Sequence, residues 1–259
     1  MNPAPNIDWN LIRLLAARCE LAYRESTISD ARTDAQANVT QETINGEPVI
    51  IVAFRGSSNA KDFLQDAEFW MVDLNTNVRL SMSNSRPMCH HGFLEDFEAI
   101  SVAVTTAVKN LLVQTPAAKV YLTGHSLGGA LAILGALEFA RQKLAVTLVT
   151  TFGQPRAGNA AFRELYNQAG PVAASLGAIT FRVVNQNDIV PRLPGWLLNY
   201  RHCGQEIFLE PGTGWGVNPS LLYKMVCDAL GLWGAYRNAQ DVLISQHFIA
   251  AYQRRLQLL

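Results

Sequence analysis

Ser126 lies in Tyr121-Leu122-Thr123-Gly124-His125-Ser126-Leu127-Gly128-Gly129-Ala130, a Gly-x-Ser-x-Gly pattern with an apolar run before it and a helix-like run after it. The mechanical reading is a strand that stops at Thr123, a tight turn that carries Ser126, and a helix that starts at once with Leu127. Such a turn exposes the serine oxygen. Gly124 and Gly128 leave room for the reversal, and Gly129 lets the helix pack close to the sheet. Free N–H groups at the helix start face any negative charge that develops beside Ser126. Five residues with three fixed also match by chance, so the strand-turn-helix context is what points to a nucleophile.

A serine hydroxyl needs a base to take its proton, and the base needs a third group to hold its tautomer. For an elbow on an α/β sheet, the order along the chain is serine, acid, histidine. After Ser126 the histidines are His202 and His247, the aspartates are Asp188, Asp228 and Asp241, and Glu164, Glu206 and Glu210 are further acids. Asp188 directly follows a strand and is fixed by Pro191, whereas Asp228 is mid-helix; Asp228 and Asp241 read as solvated charges. His247, near the start of the last helix, can turn its ring into a cleft. His202 begins a strand and is anchored in the sheet, so His247 is preferred as the base. A lone histidine beside an apolar face is usually structural, and the choice depends on Ser126 and Asp188. His91 and His125 read as packing or shaping residues.

The elements that must position these groups alternate along the chain. Ile7 to Glu25 reads as a helix apolar on much of its circumference, hence substantially buried; Tyr23 near its end could reach a pocket, with core packing preferred. Val39 to Thr43 and Pro48 to Phe54 are strands joined by the Asn45-Gly46 turn. Arg55 to Asn59 then forms a plain turn or a loop that brings N–H groups and a side-chain donor against a ligand. Ala60 to Leu74 places Ala60, Phe63, Leu64, Ala67 and Met71 at helical spacing. Two readings are open for it, a surface helix packed on the core or a movable lid whose apolar face covers a cleft. Trp70 to Leu80 reads as an alternating strand.

Helices are expected from His91 to about Gln114, Leu127 to Lys143 and Ala160 to Gln168, with strands at Ala118 to Thr123, Ala145 to Phe152 and Ala178 to Val184. His202 to Leu209 is a final strand, Glu210 to Gly216 a flexible loop and Pro219 to Trp233 a helix. Val242 to Leu256 closes the chain as a helix with Ile244, Phe248, Ala251 and Tyr252 inward. This alternation predicts a mostly parallel sheet covered on both faces, with ligands beyond the carboxyl ends of its strands.

The 259 residues fit one large α/β domain, and 49% hydrophobic content is ample for its core. Lys plus Arg is 21 and Asp plus Glu is 21, a net charge of zero that argues against a nucleic-acid partner. No apolar run approaches the roughly 20 residues that span a bilayer. Met1 to Asn6 has neither a basic region nor an apolar core, so no secretory signal is read there. The expectation is a cytoplasmic protein by default, or a secreted one if a signal has been removed. Cys19, Cys89, Cys203 and Cys227 lack zinc spacing and read as mostly buried thiols, with bridges open in an exported protein.

With these pieces in order, the chain resembles the class 3 lipases, the α/β-hydrolase family of the fungal triacylglycerol lipases. The residues that carry the resemblance are Phe54-Arg55-Gly56-Ser57, His91-Gly92-Phe93, Thr123 to Ala130, Phe152 to Gly158, Val184-Asn185 with Asp188 to Pro194, and His247. It implies one α/β-hydrolase domain over 1–259, with a short lid at 60–74, Ser126 as nucleophile, Asp188 as acid and His247 as base. It further implies an oxyanion hole from Ser57 and the N–H of Leu127, an acyl groove at Val190 and Leu193 with Phe63 from the lid, and no metal or cofactor. The implied substrates are lipid esters at a lipid-water interface. Aryl esters such as feruloyl esters are the alternative, and a non-catalytic interaction scaffold is the reading from another class. Ser245-Gln246-His247-Phe248 lacks the aspartate that often precedes the family's histidine, and Gly212 to Asp241 matches nothing placed.

Overall fold

The strand β3 (Glu47–Phe54) sends Val49 and Ile51 to one side and Ile50, Val52 and Phe54 to the other, and all five are buried. Burial on both faces is what an interior strand of a covered sheet requires. A computed structural model describes residues 7–57, 71–74, 86–170, 174–186, 188–210, 214–220 and 245–259 of the chain, and it places β3 inside an eight-stranded sheet. Its neighbours are β2 (Gln36–Ile44), antiparallel, and β6 (Lys119–His125), parallel. Parallel pairing continues through β7 (Leu148–Phe152), β9 (Thr180–Asn185) and β11 (Gln205–Leu209). The antiparallel strands β1 (Ile28–Ser29) and β12 (Trp215–Val217) form the edges.

Helices cover both faces. On one lie α1 (Trp9–Ala22) and α6 (Ile249–Leu256), whose Leu15, Cys19 and Tyr252 share a core with Ile51, Phe152 and Val183. On the other lie α2 (His91–Gln114), α3 (Leu127–Arg141), α4 (Ala160–Gln168) and the short α5 (Leu176–Ile179), with Phe97, Val104, Leu131 and Phe162 packed in one core with Phe54 and Leu122. Each such fully buried side chain contributes about 1.5–3 kcal/mol. Because β3, β6, β7 and β9 run the same way, their carboxyl ends bring Ser57, Ser126, Gly153 and Asn185 to one rim.

Several expectations change. The closing helix starts at Ile249, not Val242; of the earlier part, 242–244 lies outside the described residues and Gln246 and His247 form a turn. Phe248 is extended before the helix and 51% exposed instead of inward. The expected flexible loop Glu210 to Gly216 ends in β12, because Trp215 packs edge-on against Trp9 at a ring distance of 5.1 Å. β4 (Met71–Asp73) falls within the strand expected over Trp70 to Leu80, of which 75–80 lies outside the described residues. The second sheet that it forms with β5 (Met88–His90), β8 (Gly158–Asn159) and β10 (Tyr200–Arg201) was not anticipated, because those three strands are too short to show a period. Met71 is therefore in a strand and not in the lid helix. The rest of the lid candidate that includes Phe63, 60–70, lies outside the described residues, as do 221–233 of the expected helix and Cys227. Cys19, Cys89 and Cys203 are free, buried thiols that burial pushes up to about 12. Among the described residues, no helix is long and apolar enough to cross a membrane, and no cluster of metal-binding side chains forms.

Candidate active site

The turn at Ser126 is strained as the pattern requires. Its backbone has φ 58° and ψ −130°, a region that costs a non-glycine residue about 1–3 kcal/mol. Two hydrogen bonds hold it there: Ser126 N–H donates to Phe152 O at 2.9 Å, and Gly129 N–H donates to Ser126 O at 2.9 Å. A Cβ on Gly124 would lie 2.1 Å from Gly128 O, and one on Gly128 would lie 2.2 Å from Phe54 O. The ends of β3 and β6 and the start of α3 are thus in backbone contact, which no side chain permits. The side chains of Asp8, His90 and Asn159 cap α1, α2 and α4, but no side chain caps α3. The Ser126 hydroxyl points elsewhere, and the first N–H groups of α3 have no partner within the helix.

That hydroxyl meets His247, whose Nε2 is 2.8 Å from Ser126 Oγ. On the other side of the ring, His247 Nδ1 is 3.0 Å from Asp188 Oδ1 and 2.9 Å from Oδ2. A carboxylate only accepts, so Nδ1 carries the hydrogen and Nε2 offers its lone pair to the serine O–H. Ser126, His247 and Asp188 are 2%, 1% and 0% exposed, so water competes little for these bonds.

Asp188 is held by several groups. Tyr252 O–H donates to Asp188 Oδ2 at 2.6 Å, and Val190 N–H donates to Oδ1 at 2.9 Å. Burial, and then the adjacent Asp188, hold the Tyr252 phenol well above its ordinary value, so it stays a donor. The Tyr252 oxygen accepts Asn185 N–H at 3.1 Å, while the Asn185 amide donates to Gln246 O at 3.2 Å, beside the base. Gly153, at φ +59°, makes the approach possible: a Cβ there would lie 2.8 Å from Asp188 Oδ2 and 3.1 Å from His247 Cε1.

The structure thus brings Ser126, Asp188 and His247 together. His202 is elsewhere, with its Nε2 2.7 Å from Pro191 O, where it braces the turn after Asp188. Ser57 lines the cleft at Ser126, and Leu127 opens α3. Val190 is fully buried and contributes its N–H to Asp188; Leu193 is half-buried, and neither lines the described cleft. Phe63, Asp228 and Asp241 lie outside the described residues. The cleft has a volume of about 360 Å³ and is lined further by Glu20, Tyr23 and Arg24 around the end of α1 and by Phe248, Ile249 and Ala250.

Sequence reasoning assigned Tyr252 to packing, preferred packing over a pocket for Tyr23, which lines the cleft, and missed Asn185 and Gly153. Only a glycine directly after the strand that faces the acid hinted at Gly153, and nothing in the pattern distinguished the two tyrosines from core residues.

His125 is fully buried, and burial, reinforced by nearby His247, holds its pKa well below the ordinary 6.5. Below about pH 6.5 the unfolded chain therefore binds a proton that the folded one refuses, and stability falls as pH drops. Thermal melts between pH 7.5 and 5 should show this decline, at up to about 1.4 kcal/mol per pH unit from this group. His125→Gln should flatten it; an unchanged slope would exclude His125 as the cause.

Residues 51–198 match the family described as Lipase (class 3). A lipase of Rhizomucor miehei is 32% identical over 173 residues, covering 65% of this chain and 44% of its own. The secreted mono- and diacylglycerol lipase 1 of Fusarium solani is 32% identical over 170 residues, covering 66% of this chain and 46% of its own. The matched part spans less than half the length of these relatives. A solved Rhizomucor miehei lipase–propeptide complex aligns with a TM-score of 0.66 at 26% identity, over 83% of this chain and 70% of that one.

Proposed function

Because this chain belongs to the class 3 lipase family and has the α/β-hydrolase fold, we propose that it hydrolyses carboxylic esters of lipids through an acyl-enzyme on Ser126. The observation that carries this reading is the unbroken row of hydrogen bonds from Ser126 Oγ through His247 to Asp188. In it, 1–259 acts as one domain, and the lid candidate is confined to the part that precedes β4 (Met71–Asp73).

Ser126 Oγ attacks the ester carbonyl carbon as its proton passes to His247 Nε2. Asp188 stabilises the imidazolium that results. The carbonyl oxygen takes up negative charge, and the N–H of Leu127 together with the N–H and hydroxyl of Ser57 receive it. Collapse breaks the bond to the alcohol, which leaves with the proton from His247. A water molecule, deprotonated by His247, then attacks the acyl-enzyme, releases the carboxylic acid and restores the serine O–H. The reaction balances without a cofactor.

Lipid is favoured over aryl esters by the apolar side chains of Phe248, Ile249 and Ala250 that line the cleft with Ser126, and by the likeness to the Rhizomucor miehei lipase and the Fusarium solani mono- and diacylglycerol lipase. The test is a series of p-nitrophenyl and triacylglycerol esters of increasing chain length, with a feruloyl ester for comparison, measured above and below the solubility limit. Aliphatic acyl esters should be cleaved faster than the feruloyl ester, with a rate jump once an interface forms. Faster cleavage of the feruloyl ester would support an aryl-ester hydrolase instead. A chain that neither cleaves any ester nor takes up a fluorophosphonate probe would be a scaffold.

A further inference from the structure

Tyr23 and His125 stand outside the row of Ser126, His247 and Asp188, yet they touch both loops that must be aligned with it. His125 Nε2 is 2.6 Å from the backbone oxygen of His247. A carbonyl only accepts, so Nε2 carries a hydrogen. Burial keeps the ring neutral, which leaves Nδ1 as a lone pair. Tyr23 OH, 2.8 Å from Nδ1, must therefore donate to it. The Tyr23 oxygen in turn lies against the loop that leaves β3: a Cβ on Gly56 would stand 2.1 Å from it and 2.6 Å from the His125 carbonyl oxygen. Each polar hydrogen in this row has one direction to point, from Tyr23 through His125 to the backbone of His247, and the Gly56 loop packs against its Tyr23 end.

We propose that Tyr23 and His125 are positioning residues that set the distance between the Ser57 oxyanion loop and the base His247. The inference rests on the reading of Ser126 and His247 as nucleophile and base. Its physical need is plain in the backbone. Gln246 and His247 form a turn ahead of α6 and lean on neighbours for their place, Asn185 bonding to Gln246 and His125 to His247. Ser57 leaves the sheet just beyond Gly56. Both loops rest on the pair, and a misplacement of about 1 Å between reacting groups costs on the order of a hundredfold in rate. A purely packing role for Tyr23, whose ring centre is 5.9 Å from that of His125, makes a different forecast: lower melting temperature and an unchanged turnover of the folded protein.

The test compares Tyr23→Phe, His125→Gln, His125→Asn and the double variant Tyr23→Phe/His125→Asn, all in the full chain and well below their melting temperatures. The readouts are kcat and KM on a soluble short-chain p-nitrophenyl ester, the rate of fluorophosphonate labelling, and the melting temperature. Tyr23→Phe should lower kcat about ten- to a hundredfold while KM stays within about twofold, and labelling should slow in step. His125→Gln keeps an N–H where Nε2 stood and should retain more activity than His125→Asn, which reaches only toward Tyr23. If the two side chains act as one row, the double variant should be no slower than its slower parent. Unchanged kcat with a lowered melting temperature, equal activity of the Gln and Asn variants, or losses that multiply in the double variant would each overturn the proposal. Equal inertness of the wild type and Ser126→Ala toward the probe would instead remove the hydrolase reading, and this one with it.

Discussion

Ser126→Ala should lower kcat on a p-nitrophenyl ester by about a millionfold, to the residue left by binding and the oxyanion donors alone. The size of the effect follows from what the hydroxyl does and does not do. It caps no helix, since α3 begins without a side-chain cap, and its hydrogen bond is to His247 Nε2 at 2.8 Å. Its removal therefore takes away the attacking atom and little of the structure. One hydrogen bond is worth about 0.5–1.5 kcal/mol, so the melting temperature should move by only a few degrees. The strained backbone at φ 58° is common to serine and alanine and does not alter the comparison. Fluorophosphonate labelling should vanish in the same variant. Retention of more than about one per cent of the activity would assign the attack to another group, and a collapse of the melting temperature would show that the hydroxyl supports the turn after all.

The elbow was legible because its constraints are local. Gly124, Ser126 and Gly128 are close in sequence, and the contacts that forbid a side chain at the two glycines arise within the same turn or against the adjacent strand end. The helices His91–Gln114 and Ala160–Gln168 were legible for the same reason, as each carries its own period and its own cap. Asp188 and His247 were singled out by chain order and position at element ends, and the structure brings them within 3.0 Å across a separation of 59 residues. What stayed hidden depends on contacts between distant parts of the chain. Tyr252 looks like a core residue of an amphipathic helix until Asp188 and Asn185 are brought against its hydroxyl. Tyr23 looks like the end of a buried stripe until His125, 102 residues away, meets its O–H. Trp215 read as part of a loop because its partner Trp9 lies at the other end of the sequence.

Asp188→Asn is the sharper probe of how those distant contacts serve the chemistry, and it should lower kcat by about ten-thousandfold with the fold intact. Each oxygen of the carboxylate accepts from His247 Nδ1 and from one further donor, Val190 N–H on Oδ1 and Tyr252 O–H on Oδ2. An amide has one acceptor and one donating end, so in either orientation its NH2 faces a donor. In either orientation that NH2 also faces His247 Nδ1; the ring answers by moving its hydrogen to Nε2, and the lone pair needed to take the serine proton is lost. The same NH2 faces Tyr252 O–H or Val190 N–H, and the buried donor left without an acceptor costs about 1–3 kcal/mol. Inactivity should therefore come with a lower melting temperature. Adding Tyr252→Phe removes the phenol O–H that opposes one orientation but also the oxygen that accepts Asn185 N–H, so the double variant should recover neither turnover nor full stability. Steady-state kinetics and melting of the single and double variants check these outcomes. An Asp188→Asn chain within about tenfold of wild-type kcat would show that the acid does not set the tautomer of His247.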